Sequence, residues 1–316
     1  MRVLVAGGAG FIGNRMCRRL LERGAEVVCV DNLLTGAFEN IEGLLDHRGF
    51  SFVEADITLQ LPDTGRLDAV VNLASPASPV DFGPLALEIL DVGSRGTANL
   101  LELARLHSAR YLHASTSEVY GEPLVHPQPE TYWGNVNPIG VRSVYDEAKR
   151  FAEALTFAYH RRHGLQVRVA RIFNTYGPGM RPDDGRIVST FVIQALSDEP
   201  ITIHGDGSQT RSFCFVDDEV EGLLALLASD ITGPVNVGSD DERSVLDVAH
   251  LVRELSRSKS EIVFVDRPSD DPSRRRPDLT LARTELGWWP RTNLEVGIEQ
   301  TVDYFRSKLT AAQVHG

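Results

Sequence analysis

Cysteine is scarce: Cys17, Cys29 and Cys214 are the only three in 316 residues, too few and too scattered for a disulfide framework or a zinc site. They read as small core residues. None of the nine histidines falls at metal-ligand spacing, so no metal centre is expected. No apolar run approaches the ~20 residues that span a bilayer. The strand-like Val3-Leu4-Val5 stands at the very start, with no basic region and apolar leader before it. A cytoplasmic, reducing location is the resulting expectation. Positive charge is also in deficit: 32 Lys and Arg against 44 Asp and Glu leave a formal charge of −12, which argues against a nucleic-acid or anionic-membrane partner. What is present is an ordinary globular composition, 42% hydrophobic and 24% charged, long enough for one large domain or two smaller ones.

Residues 1–31 read as strand, glycine turn, amphipathic helix and strand. The apolar run Val3 to Ala6 gives way to Gly7, Gly10 and Gly13, and a helical pattern continues through Phe11, Ile12, Met16 and Leu20 to a stop near Gly24. Glycines at this spacing let the chain turn tightly and approach a pyrophosphate, with the helix N-terminus facing the phosphates. The strand Glu26 to Val30 then ends in Asp31, a carboxylate placed to accept hydrogen bonds from an adenosine ribose and to repel a 2′-phosphate. Asn32 follows, with no Arg or Lys directly after it, so NAD is expected rather than NADP. Strands at 50–54, 67–73, 110–114 and 167–170 alternate with helical stretches, which predicts a parallel sheet covered on both faces. Asp56, after the third strand, is placed for the adenine edge. The small residues from Ala74 to Pro79 let backbone lie against a cofactor, and they equally fit an ordinary proline-rich loop.

Tyr145 and Lys149 stand four apart just inside a helical stretch, hence on one face. A phenol is a poor base at neutral pH unless its anion is favoured. Lowering its pKa by ~3 units takes about 4 kcal/mol, which Lys149 and a second positive charge such as an oxidised nicotinamide ring can share. The strand at 110–114 runs into Ser115-Thr116-Ser117-Glu118, so hydroxyls and a carboxylate sit at a strand's carboxyl end, where ligands collect. Each feature alone has a bland reading, a solvated helix face or a turn satisfying its own backbone. Their joint occurrence behind a glycine fingerprint favours chemistry.

Gly7-x-x-Gly10-x-x-Gly13, Thr116 and Tyr145-x-x-x-Lys149 together resemble an extended short-chain dehydrogenase/reductase. Within that superfamily, LASPASP at 73–79, STSEVYG at 115–121, HPQPETYWGNVNPIGVRSVYDEAKR at 126–150, RIFNTYGP at 171–178, DDGRIVS at 183–189 and GDGSQTRSF at 205–213 resemble UDP-glucuronate decarboxylases, also called UDP-xylose synthases. The resemblance implies an α/β fold: a Rossmann-type doubly wound parallel sheet over residues 1–172, rejoined by segments near 213–237, and a smaller C-terminal α/β domain over 173–316 that binds a UDP-sugar. It implies NAD contacts at Gly7, Gly10, Phe11, Ile12, Gly13, Asp31, Asn32, Thr35 and Gly36, and further ones at Asp56, Ile57, Leu73, Ala74, Ser75, Tyr145 and Lys149. Substrate contacts are implied at Pro79, Glu118, Tyr145, Asn174, Arg186, Arg211 and Arg275. The implied catalytic set is Thr116, Glu118, Tyr145 and Lys149, acting on UDP-glucuronate through a UDP-4-keto intermediate with internal hydride recycling to give UDP-xylose. A homodimer is also implied.

Relatives separate by residue chemistry. Nucleotide-sugar 4,6-dehydratases usually carry Asp where this chain has Ser117, and simple 4-epimerases usually carry a small residue where Glu118 stands. A UDP-sugar 4-epimerase, a decarboxylase that stops at UDP-4-keto-pentose and a non-catalytic nucleotide-sugar sensor remain as alternatives. Such families often place Asn near Gly96-Thr97 where this chain has Gly93, which leaves one cofactor contact open. The Arg274–Arg276 triplet, taken alone, also fits a solvated basic loop.

Overall fold

A computed structural model describes residues 1–268 and 270–315, with side chains from 311 onward outside the description. Its first half runs β1 (Arg2–Ala6), α1 (Phe11–Glu22), β2 (Glu26–Asp31), α2 (Glu39–Glu42), β3 (Phe50–Glu54), β4 (Ala69–Asn72), α3 (Ala86–Asp91), α4 (Thr97–His107), β5 (Arg110–Thr116), α5 (Ser143–His163) and β6 (Val167–Ile172). The second half runs β7 (Thr175–Tyr176), α6 (Ile187–Leu196), β8 (Ile201–His204), β9 (Thr210–Ser212), β10 (Cys214–Phe215), α7 (Val216–Ala228) and β11 (Val235–Val237). It ends with β12 (Glu242–Ser244), α8 (Val245–Ser256), β13 (Ile262–Val265), β14 (Arg274–Arg275), α9 (Thr280–Leu286) and α10 (Leu294–His315).

Strand periodicity explains the layers. Successive β1 side chains point to opposite faces. Val3 and Val5 therefore join Met16 and Leu20 of α1 and Leu223 and Leu227 of α7. Leu4 and Ala6 join Leu100, Leu101 and Ala104 of α4 on the other face. With both faces covered, the central strands are apolar throughout, as parallel sheets require. The sheet is seven-stranded and parallel in the order β3-β2-β1-β4-β5-β6-β11. Its order reverses between β1 and β4, which opens a crevice at the strands' carboxyl ends.

The second half builds its own core from α6, α8 and α10, with Phe191, Val192, Val248, Val252, Ile298 and Phe305 buried together. Its strands form small sheets, β8 with β13 and β12-β9-β14. The chain division is interleaved: α7 and β11 pack on the first sheet, and so do Leu279, Ala282 and Trp288 from around α9.

The helical pattern at 85–107 is broken. A π-helical turn over 92–96 separates α3 from α4. A Cβ on Gly93 would come within 2.7 Å of the Ala148 Cβ on α5, so only glycine lets the two helices close here. That contact accounts for the missing asparagine, since a larger side chain would push α5 away immediately beside Lys149.

Candidate active site

The crevice begins where β1 hands over to α1. Gly7 holds φ at +77°, a conformation that favours glycine, and a Cβ on Gly13 would overlap the Gly7 carbonyl. Turn and helix thus press together, and Gly10 offers α1 no side-chain cap, leaving its first N–H groups for a phosphate. Asp31 closes β2 almost wholly buried; its Oδ1 accepts from the Leu33 N–H at 2.9 Å and its Oδ2 from the Ala9 N–H at 3.0 Å. Burial raises its pKa, and these backbone donors partly offset that. Each oxygen keeps a further lone pair for a ribose hydroxyl. Asn32, Gly36, Asp56, Ile57 and Ala74 line this end of the crevice with Asp31. Gly7, Gly10, Thr35, Leu73 and Ser75 line both it and the deeper cleft, whose walls add Phe11, Ile12 and Gly13. The donor set fits a dinucleotide: a glycine cradle for its diphosphate and a carboxylate for its ribose.

Thr116, Glu118, Tyr145 and Lys149 all line the deeper cleft. β5 ends in Thr116 and the helical turn after it carries Glu118, and α5 delivers Tyr145 and Lys149 from adjacent turns. The Lys149 ammonium sits 5.7 Å from the Tyr145 ring centre and donates to the Ala114 carbonyl at 2.9 Å. Burial alone lowers its pKa to about 8. The protein groups alone do not favour the phenolate. Burial pushes Tyr145 up to about 12, and the Thr116 hydroxyl and the Arg186 charge draw it only part of the way back, while Glu118 and Asp146 oppose them. Desolvating an anion thus outweighs what the surrounding protein groups offer it. Phe82 stacks on the Tyr145 ring with centroids 5.1 Å apart, and the Arg142 guanidinium lies over the other ring at 5.4 Å, so the phenol is held in one orientation.

Glu118 is gripped by cations. Arg142 donates to it at 2.7 Å and the Arg275 guanidinium stands at 3.4 Å, and together they outweigh burial to hold its pKa at about 2. Of the residues expected to contact substrate, Pro79, Asn174 and Arg186 line the cleft. Arg211 and Arg275 do not. Both are buried behind it, Arg211 paired with Asp271 at 3.1 Å and Arg275 donating to the Ser117 carbonyl at 2.8 Å. The register of β14 beside β9 sets the two arginines side by side.

Sequence reasoning missed several cleft residues. Arg142 and Phe82 are two. Asp81 and Arg181, paired at 2.9 Å, tie the 79–81 turn to the loop before α6, and the Ser78 hydroxyl donates to the Asp184 carbonyl across the same gap. Arg142 lies three residues before Tyr145 in the longest matching motif, which was the available signal. The others come from distant stretches that only folding joins. Among the described residues no cluster of His, Cys, Asp or Glu is arranged to hold a metal ion, and no helix is long and apolar enough to cross a membrane.

A parallel nucleotide-binding sheet with a threonine, tyrosine and lysine around one cleft defines a dinucleotide-dependent enzyme that works on an alcohol or its ketone. Residues 3–238 match the model of the NAD dependent epimerase/dehydratase family, and the chain belongs to that family. It is 47% identical over 310 residues to UDP-glucuronic acid decarboxylase 5 of Arabidopsis thaliana, covering 98% of this chain and 90% of that one. It is 47% identical over 308 residues to UDP-glucuronic acid decarboxylase 1 of Xenopus tropicalis, covering 98% and 73%. Among solved structures, UDP-glucose 4-epimerase of Thermotoga maritima with UDP-glucose superposes with a TM-score of 0.90 at 31% identity, over 98% of this chain and 100% of that one. UDP-glucuronic acid 4-epimerase of Bacillus cereus, in complex with UDP-glucuronic acid and NAD, gives 0.86 at 29% identity over 98% and 100%.

Asp31 carries the first test. Asp31→Ala removes charged hydrogen bonds worth about 1.5–3 kcal/mol, so NAD affinity falls roughly 10- to 100-fold by calorimetric titration while NADP affinity changes less. Equal losses for both would show that Asp31 does not face the ribose.

Proposed function

We propose that this chain decarboxylates UDP-glucuronate to UDP-xylose in the cytoplasm, with NAD as a recycled cofactor, acting as a homodimer with residues 1–172 and the returning segments holding NAD and 173–316 holding the UDP-sugar. The observation that carries the reading is the 47% identity over 98% of the chain to relatives of that activity, with Thr116, Glu118, Tyr145 and Lys149 around one cleft. The dimer reading draws on apolar side chains left exposed on α3, α4 and α5, namely Leu87, Leu90, Leu106 and Phe151.

The Tyr145 phenolate takes the proton of the sugar 4-hydroxyl, and the Thr116 hydroxyl hydrogen-bonds the same oxygen. NAD bound in the cleft would supply a hydride acceptor and donor and a positive ring charge. Lys149 holds the phenolate and the cofactor ribose. Once C4 is a ketone, the C5 carboxylate is β to a carbonyl, and the C5–C6 bonding pair passes into that carbonyl as carbon dioxide leaves. Glu118, kept ionised by Arg142 and Arg275, orders the carboxylate side of the ring. C5 then takes a proton and Tyr145 returns its own to the C4 oxygen, with no net redox change. Ser117 has only a hydroxyl, a poor acid for eliminating water.

The test is incubation with UDP-glucuronate and catalytic NAD, following carbon dioxide and the nucleotide-sugar by NMR. UDP-xylose without accumulating NADH is the expected result. UDP-galacturonate would make the chain an epimerase, UDP-4-keto-pentose with matching NADH would mean the return step fails, and UDP-glucuronate binding without turnover would leave a sensor.

A further inference from the structure

A second cavity of about 380 Å³ lies behind the cleft. Glu118 and Arg142 line both spaces, so their 2.7 Å ion pair is the partition between them. Asp146, the residue after Tyr145 on α5, faces the rear space: it is 5% exposed, and its Oδ1 has no hydrogen-bond partner. A buried ionised oxygen without a donor is costly, whereas a protonated carboxyl there is much less so. Burial and the Glu118 charge, with Glu147 adding a little, raise its pKa to about 8 against the pull of Arg142 and Arg275. Glu122, Asp270 and Asp271 line the same space and disfavour a further anion.

The decarboxylase reading leaves one proton without a donor. Tyr145 serves the C4 oxygen. After carbon dioxide leaves, C5 needs a proton on carbon, and Glu118, held at about 2, carries none at neutral pH. Asp146 is a buried acid on the far side of Glu118 that retains one.

We propose that the rear cavity is a proton-supply chamber for C5, with Asp146 as the acid that feeds it across the Glu118–Arg142 partition. The proposal rests on the decarboxylase reading. The Asp146 proton passes to a water at the partition and from it to C5, where the enolate π pair forms the new C–H bond and the C4 ketone is restored. The Asp146 carboxylate regains a proton from solvent through the chamber. Asp146 lines the chamber and not the cleft, so it is a positioning residue for that proton.

The test runs the reaction in D2O and reads the configuration of deuterium at C5, together with the pH profile of kcat. The wild-type chain should place one deuterium in a single configuration and lose kcat above about pH 8, as Asp146 gives up its proton. Asp146→Asn should lower kcat by roughly 100-fold, scramble the C5 label and abolish the alkaline limb, with KM for UDP-glucuronate within about twofold; Asp146→Glu should restore the single configuration. Should Asp146→Asn fail to fold, Val136→Trp narrows the chamber from its loop wall and should scramble the label likewise. A single configuration with an intact alkaline limb in the variant that folds overturns the proposal. If the wild-type chain forms no UDP-pentose at all, the decarboxylase reading itself has failed, a distinguishable result.

Discussion

Tyr145→Phe lowers UDP-glucuronate turnover by about 10³-fold or more while NAD affinity stays within about twofold. The phenol ring is held by Phe82 and stands beside Thr116, and its hydroxyl is the one group the substitution deletes. Phenylalanine keeps the stacking and the volume, so α5 and the Ala114 carbonyl still hold Lys149 for the cofactor. The effect is large because the protein invests in this group: with a pKa of about 12, ionising it at pH 7.5 costs about 6 kcal/mol before any bound charge contributes. A base so held works only in the assembled complex, which keeps the phenol protonated until cofactor and sugar are both present. Single-turnover absorbance of reduced nicotinamide and NMR of the product check the prediction. Near-normal turnover would remove Tyr145 as the base.

Glu118→Gln slows decarboxylation by roughly 100-fold while UDP affinity stays within about threefold, and it flattens the acid side of the stability profile. The carboxylate is the shared anion of Arg142 and Arg275, so the amide leaves two guanidiniums in the interior with their countercharge removed. Arg275 then keeps only its bond to the Ser117 carbonyl. The sign of the pH effect follows from a folded pKa of about 2 against an ordinary carboxylate value of 4.5. This depressed value contributes about 3 kcal/mol above the unfolded pKa, and the contribution is lost as pH falls from about 4.5 through about 2. Asp146 titrates the other way, its raised pKa making the folded chain less stable as pH rises from about 4 to about 8, so the pH 5 midpoint carries part of that loss in the wild-type chain and less of it once the Glu118 charge is gone. Urea midpoints at pH 5 and pH 2.5 should therefore differ less in the variant. Equal losses of UDP affinity and turnover would make Glu118 structural.

The first half of the chain was legible because its signals are local. β1, the glycine turn, α1 and Asp31 follow one another within 31 residues, and strand periodicity there coincides with burial on two faces. The i, i+4 spacing of Tyr145 and Lys149 needed only helix geometry. The close packing of Gly93 within the 92–96 turn was invisible because its neighbour, Ala148, is 55 residues away. The cost of desolvating Tyr145 was hidden for a related reason: spacing reports a neighbouring charge, and only a folded interior reports how much water has been removed.

By itself the sequence determined the doubly wound sheet, the preference for NAD and the four residues at the cleft, since each is written in a short stretch with its own geometry. The tertiary structure alone decided that Arg211 and Arg275 stand behind the cleft rather than in it, that Glu118 is shared between Arg142 and Arg275, and that Asp146 opens onto a second chamber. Those placements depend on β14 lying beside β9 and on β5 meeting α5, contacts between segments up to about 160 residues apart whose electrostatic consequences exist only once water is excluded between them.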